Sequence, residues 1–196
     1  DRLGYPVVVK PTDRAGSIGV RLAKDPSELE EAFREAVAAS RNGLLLVEEF
    51  VLGREVSVEG ACFGGQVHAV AVTDKVVEGE PHPVEMGHSV PSLLAESLTR
   101  EVVTTAVKAV RALGVDNAVT HTELILSGRG PLVGEVHARP AGDLIPELVR
   151  EALGVDLYSA AIEIALGRAP LLAPGRRKGA AVVFMDSAPG VVELVQ

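Results

Sequence analysis

The sequence predicts an α+β fold built mainly from antiparallel strand pairs. Two such pairs stand out. One is Glu55 to Phe63 with Gln66 to Thr73 around Gly64-Gly65, and the other flanks Ser127-Gly-Arg-Gly-Pro131. Helical periodicity is confined to a few segments that stand between groups of strands, so strand and helix do not alternate one for one.

The elements follow in order. Asp1-Arg-Leu-Gly-Tyr-Pro6 reads as a helix C-terminus capped by Gly4, so the chain is expected to begin mid-protein. Tyr5 to Lys10 is a β-branched run ending at Pro11, and Gly19 to Ala23 resumes an extended pattern, which suggests a hairpin pair. Asp25-Pro-Ser-Glu28 is a helix start with Asp25 as cap, and Leu29, Ala32, Phe33, Ala36 and Val37 form its expected core stripe. Asn42-Gly43 ends that helix, and Leu44 to Glu48 is the next strand. Residues 75 to 92 lack periodicity and contain prolines, glycines and charges, so they are expected to form a functional loop. A helix from about Leu93 to Leu113 stops at Gly114; two more are expected at Ile145 to Leu153 and Leu157 to Leu166, and a strand at Gly179 to Met185. The final run, Val191 to Gln196, is apolar and strand-like, which suggests a fragment at both ends. The change near residue 75 marks the expected subdomain boundary, giving a smaller unit over 1–75 and a larger one over 76–196.

Composition narrows the function. A net charge of −8, with two Tyr, four Phe and no Trp, argues against a nucleic-acid groove, which needs basic patches interleaved with stacking rings. No apolar stretch reaches membrane-spanning length and no leader pattern is evident, so no membrane partner is expected and the cytoplasm is the default location. The single cysteine, Cys62, lies in an apolar alternating run and reads as a small buried residue.

The most informative segment is the acidic hairpin. Pairing Leu126 with Leu132 sets Glu123 directly opposite Glu135, and His121 opposite His137 on the same face. Like charges across a strand pair are destabilising, so two carboxylates there suggest a hard cation with oxygen ligands, magnesium first, unless both are simply solvated. Between the first two strands, Asp13-Arg-Ala-Gly-Ser-Ile-Gly19 is a small-residue turn that follows Lys10; it is either a plain hairpin turn or a loop whose N–H groups approach phosphate oxygens. Glu48-Glu49-Phe50-Val51 followed by Gly53-Arg54-Glu55 reads either as surface glutamates or as a hinge that reads an adenine edge, with Glu55 accepting from ribose hydroxyls.

Arg139 lies four residues after Glu135, suited to phosphoryl or carboxylate oxygens, and leads through Pro-Ala-Gly-Asp143 into a helix N-terminus that favours an anion. His82, Glu85 and His88 are acceptable zinc ligands in type, but Pro81, Pro83 and Gly87 prevent the helix that would align them. The same residues also suit a mobile loop in which Glu85 and His88 meet substrate, or a solvated one.

Taken in order, Val7-Val-Val-Lys-Pro11, Gly16-Ser17-Ile18-Gly19-Val20, Glu48-Glu-Phe-Val-Leu-Gly-Arg-Glu55, Glu123 and Glu135-Val-His-Ala-Arg139 resemble the ATP-grasp superfamily over nearly the whole chain. Glu85-Met-Gly-His-Ser-Val-Pro91 and Glu135 to Asp143 are most similar to the ATP-dependent L-amino-acid ligases that make dipeptides, including carnosine-synthase-like enzymes. The resemblance implies two α+β subdomains gripping ATP between them. It implies that Lys10 contacts the phosphates, that Gly16, Ser17, Ile18 and Gly19 cover them, that Glu48, Glu49, Phe50 and Val51 flank the adenine, and that Glu55 holds the ribose. Glu123 and Glu135 would carry Mg2+ or Mn2+, with His137 standing where the superfamily usually has an asparagine. Arg139, Glu85 and His88 would act at the reacting groups.

The implied reaction is activation of an amino-acid carboxylate as an acyl phosphate and its joining to an amine. A carboxylase acting through carboxyphosphate, or a non-catalytic nucleotide-binding module, remains open. Small amino-acid substrates, an N-terminal domain of the same protein and a homodimer are the expected partners.

Overall fold

The computed structural model describes residues 3–185, and the two terminal runs singled out above fall wholly or partly outside them. Nine strands form two sheets within the described residues, accompanied by four helices. Strands β1 (Val7–Pro11), β2 (Arg21–Ala23) and β3 (Leu45–Glu49) make a three-stranded sheet in the order β2-β1-β3. Helix α1 (Pro26–Ala39) covers it, and Asp25 caps the helix by accepting from the N–H groups of Ser27 and Glu28. Leu29, Ala32 and Ala36 pack on Val7, Val9 and Ala23. Phe33 and Val37, expected in the same stripe, are 48% and 47% exposed. A three-stranded sheet is narrow, so it covers one line of the helix and leaves the flank bare.

The larger sheet runs β8-β7-β4-β5-β6-β9, every neighbour antiparallel. Its strands are β4 (Arg54–Phe63), β5 (Gln66–Glu78), β6 (Val84–Val90), β7 (Ala118–Ser127), β8 (Gly130–His137) and β9 (Ala180–Val183). The loop expected over 75–92 is therefore corrected: Lys75 to Glu78 extend β5, and Val84 to Val90 form β6. Gly79, Pro81 and Pro83, which suggested a loop, belong to the turn between these strands. Residue 75 lies inside β5, and the change from one sheet to the other falls between Glu49 and Arg54.

Residues on the two faces of the large sheet differ in kind. On one face Val56, Val58, Val72 and Leu124 pack against Val102 and Ala106 of α2 (Glu96–Ala112). On the other, Ala61, Ala71 and Val119 meet Ile145, Leu148 and Val149 of α3 (Ile145–Leu153) and Leu157, Ala160 and Ile164 of α4 (Leu157–Ala165). These helices cover one end of that face; the rest of it is polar. Cys62 is buried, its Sγ 3.1 Å from the Val115 carbonyl, as its apolar setting led us to expect. Contacts between the sheets include the Leu22 N–H donating to Pro81 O, the Lys24–Glu80 ion pair at 2.5 Å and the Arg129–Glu49 pair at 2.9 Å.

Candidate active site

Strand register gathers the polar residues into rows across one face. Glu59 pairs with Ala71 on one side and His121 on the other, and His121 pairs with His137. In the next row Ser57 pairs with Thr73 and Glu123, and Glu123 with Glu135. Lys75 then stands opposite His88. Alternation along each strand keeps Glu55, Ser57 and Glu59 on one face while Val56 and Val58 enter the α2 core.

Glu123 holds the centre of this face. One carboxylate oxygen is 3.1 Å from Lys75 Nζ and the other 3.0 Å from His121 Nε2. His121 Nδ1 is 2.9 Å from Glu59 Oε2, and Glu59, fully buried, also accepts from Ser57 Oγ at 2.6 Å. Lys75, its side chain 1% exposed, reaches Glu85 Oε1 at 2.8 Å as well. Burial works against charge on His121, Glu123 and Lys75, yet their pairings outweigh it. The hydrogen bonds and charges of Glu123 and Glu59 raise His121 to about 9, so it is a cation at neutral pH. The His121 and Lys75 contacts hold Glu123 far below the usual carboxylate range, and Lys75 is raised by its two glutamates. Despite its burial, Glu85 is lowered to about 2 by the His88 ring and Lys75, which makes it a poor proton acceptor.

The structure reproduces the expected Glu123–Glu135 pairing by a different route. Near the turn Leu126 pairs with Pro131, one residue off the expected register, and a bulge between Glu123 and Leu124 restores the acidic pair. The three expected metal residues are unequally placed. Glu135 is half exposed, with His137 Nε2 at 3.5 Å, and Glu123 is turned onto its internal cations. The His137 ring stacks on His121 at 5.7 Å between centroids, and burial lowers its pKa. Among the described residues, the acidic and histidine side chains whose ligand atoms all lie within 4.8 Å of one another are Glu85, His88 and Asp143, in place of the expected trio.

A magnesium ion still suits the donor chemistry of Glu123 and Glu135: two carboxylates on adjacent strands, one of them solvent-facing, leave room for phosphate and water oxygens. The nitrogen of His137 suits that ion poorly.

The remaining expected residues divide between the sheets. Lys10 Nζ is 2.6 Å from Glu48 Oε2 on the small sheet. Gly16, Ser17 and Gly19 all adopt positive φ, and a Cβ on Gly19 would come within 2.6 Å of the Ala39 Cβ, so the loop carrying Ile18 is turned tightly against α1. Glu49 pairs with Arg129 of the β7–β8 turn, and the Phe50 N–H donates to Pro6 O, with Val51 in the connection to β4. Glu55 lies on the acidic face, its pKa raised by burial and by Glu123 and Glu85 against the pull of Lys75. Arg139 follows β8 and donates to the Pro140 carbonyl at 2.8 Å. His82 is remote from Glu85 and His88; it lies against the Val20 carbonyl, which separates the candidate zinc set. Glu85 and His88 are on strand β6 rather than on a mobile loop.

A profile of the ATP-grasp domain matches residues 3–147 of the chain. The chain belongs to the ATP-grasp family. This ATP-grasp domain is 30% identical over 179 residues to carnosine synthase 1 of Homo sapiens, covering 85% of the chain and 22% of that protein. It is 29% identical over 188 residues to alanine–anticapsin ligase of Bacillus subtilis strain 168, covering 84% of the chain and 39% of that protein. The crystal structure of an L-amino acid ligase from Bacillus licheniformis superposes with a TM-score of 0.76 at 30% identity, over 92% of the chain and 45% of that structure. The ATP-grasp domain thus spans less than half of each of these relatives.

Lys75 and Glu59 were the site residues missed in the sequence. Lys75 carried a usable signal, because Ala71, Thr73 and Lys75 continue the alternation of β5 past the point at which that strand was ended. Glu59 carried the same signal, standing four residues after Glu55 in an expected strand and so on the same face, but its partner His121 is 62 residues away.

Proposed function

We propose that the protein containing this domain is an ATP-dependent carboxylate–amine ligase. In this reading a carboxylate oxygen attacks the γ-phosphorus of ATP and ADP leaves. The amine nitrogen of a second substrate then attacks the acyl carbon and phosphate leaves. The observation that carries the proposal is the face on which Glu123 and Glu135 stand in register beside buried Lys75, with the Lys10–Glu48 pair on the small sheet. The three named relatives are ligases or synthases by name, and one of them, the Bacillus licheniformis ligase, superposes on this fold, which supports the same chemistry.

Lys10 and the turn over Gly16, Ser17, Ile18 and Gly19 bind the polyphosphate, Glu48, Glu49, Phe50 and Val51 border the adenine, and Glu55 accepts from the ribose. Glu123 and Glu135 hold magnesium, which neutralises phosphate charge when bound. Arg139 steadies the transferred group or the substrate carboxylate. Glu85 and His88 face the substrate, and the low pKa of Glu85 favours a binding role over proton abstraction. The sheet over residues 7–49 acts as the lid that excludes water from the acyl phosphate. The rest of the active site belongs to the protein outside this domain, and the intact enzyme works in the cytoplasm; among the described residues no helix is long and apolar enough to cross a membrane.

Calorimetry of ATP binding to the chain, with and without Mg2+, tests the nucleotide site. Magnesium-dependent binding that is lost in a Glu123→Ala/Glu135→Ala variant is the expected result. For the intact enzyme, ADP release that depends on bicarbonate rather than on an amino acid would replace the ligase reading with a carboxylase.

A further inference from the structure

We propose that Asp74 is a positioning residue for the nucleotide, acting through Arg54 as the fixed end of a hinge at Val51 and Leu52, an inference that rests on the nucleotide-binding part of the reading above. Between the small sheet and the large one the chain runs through Phe50, Val51, Leu52 and Gly53. Both ends of that run are held. On the small-sheet side the Phe50 N–H donates to Pro6 O at 3.2 Å. On the other side Gly53 lies so close to β7 that a Cβ there would come within 2.4 Å of the Leu126 carbonyl oxygen, and Arg54, the first residue of β4, pairs with Leu126. Any swing of the small sheet is therefore confined to Val51 and Leu52, the latter 82% exposed.

Arg54 reaches Asp74 Oδ2 at 2.6 Å, and Asp74 accepts in turn from the Ser92 hydroxyl and from the Leu93 N–H at 2.9 Å. Donors from β4 and from the β6–α2 connection thus converge on one carboxylate of β5 whose side chain is 8% exposed. Asp74 pairs with Val56 and follows Val72 along β5, so it stands on the α2 face and not on the face of Glu59 and Glu123. A carboxylate at the margin of an apolar layer built from Val56, Val72, Leu124 and Val102 is costly to bury, and an apolar residue of similar size would serve stability as well. What the ion pair adds is register, because it admits one arrangement of the groups that make it. The residue so fixed is Arg54, which closes the run from Glu48 to Val51 that borders the adenine in the reading above. Lys75, next along β5, goes to the opposite face and contacts Glu123. Asp74 therefore ties the end of the hinge to the strand that carries Lys75. The adenine border is thereby held in place before the nucleotide arrives, which lowers the ordering cost of binding.

The experiment measures MgATP and MgGTP binding to the full-length enzyme by calorimetry, with urea unfolding alongside. Wild type is expected to prefer ATP. Arg54→Met removes one charge of the pair and Asp74→Asn the other. Each is expected to weaken ATP on the order of 10-fold, the loss from having to order a few side chains that were held beforehand, and to narrow the preference over GTP by a similar factor, because the displaced segment is the one that reads the base. The double variant should weaken ATP no more than either single one, since the two residues act as a pair, and Arg54→Lys should recover most of the affinity. Arg54→Met carries the test by itself should Asp74→Asn unfold, because the Arg54 side chain is half exposed. An unchanged ATP affinity in the folded variants overturns the anchor. A loss of affinity with an unchanged ATP-to-GTP ratio, or one that only tracks lost urea stability, gives the pair a purely structural role and overturns it as well. If wild type binds no MgATP, the nucleotide-site reading fails and the anchor with it. Anchor-dependent MgATP binding without ADP release under any amino acid removes the ligase reading and leaves the anchor standing.

Discussion

The His121 cation buried between Glu59 and Glu123 makes a quantitative prediction about pH. Its pKa rises from 6.5 to about 9 on folding, and at about 1.4 kcal/mol per tenfold change this amounts to roughly 3 kcal/mol of stability. A group whose folded pKa is raised contributes fully below its unfolded value, so the stabilisation is complete below pH 6.5 and is lost as pH climbs to about 9. Other perturbed groups leave this window clear. Glu85 and Glu123 are depressed below 4.5 and act at acid pH, the lowered pKa of His137 acts below 6.5, and Cys62 and Lys75, raised above 9.0 and 10.5, act at higher pH.

The assay is urea unfolding in metal-free buffer between the two His121 values, 6.5 and about 9. The reference is His121→Gln/Glu59→Gln, in which neither partner remains as a bare buried charge. Wild type should lose roughly 3 kcal/mol across the window, and the double variant should lose less than about 1 kcal/mol, with m-values unchanged. Parallel pH profiles in the two proteins would refute the assignment of His121 as an internal cation.

Further outcomes follow from single residues. Glu135 has one weak neighbour in His137 and a half-exposed side chain, so Glu135→Ala should move stability by no more than about 0.5 kcal/mol, as read by urea unfolding, while abolishing magnesium-dependent ATP binding. Gly60→Ala should be destabilising by about 1–3 kcal/mol, because the added Cβ would meet the His68 carbonyl oxygen at 2.6 Å inside the central strand pair; an unchanged Tm would refute this.

The sequence disclosed the strand pairs and the acidic face better than it disclosed their surroundings. Local chemistry was sufficient for Asp25 as helix cap, for the glycine turns, for α3 at its observed bounds and for the Glu123–Glu135 pairing. The bulge that restores that pairing had a faint local sign in Gly134, a glycine within a strand. Tertiary contact was needed for the rest. Phe33 and Val37 follow helical spacing as well as Ala32 and Ala36 do, and only the width of the opposing sheet decides which are covered. Prolines and glycines around Glu80 imitated a long loop because a strand turn uses the same residues. Glu59, Lys75, Glu85 and Glu123 come together from four strands, a convergence that sequence spacing does not record.

That convergence sets up a competition that a single substitution separates. Lys75 neutralises Glu123 in the absence of metal, so it stabilises the fold and also occupies an oxygen that the proposed magnesium site requires. Lys75→Met keeps the volume but leaves Glu85 and Glu123 facing one another without it, a loss of about 3–5 kcal/mol for removing one partner of a buried charge group. The same change frees Glu123 and deepens the negative potential of a face that already carries Glu55 and Glu135, so Mg2+ should bind the variant more tightly. Stability and metal affinity therefore move in opposite directions. In thermal unfolding the variant should have the lower Tm without metal and the larger upward shift on addition of Mg2+, because a ligand bound only to the folded state stabilises in proportion to its affinity. A variant with both a lower Tm and a smaller magnesium shift would show that Lys75 orients Glu123 for the ion instead of competing with it.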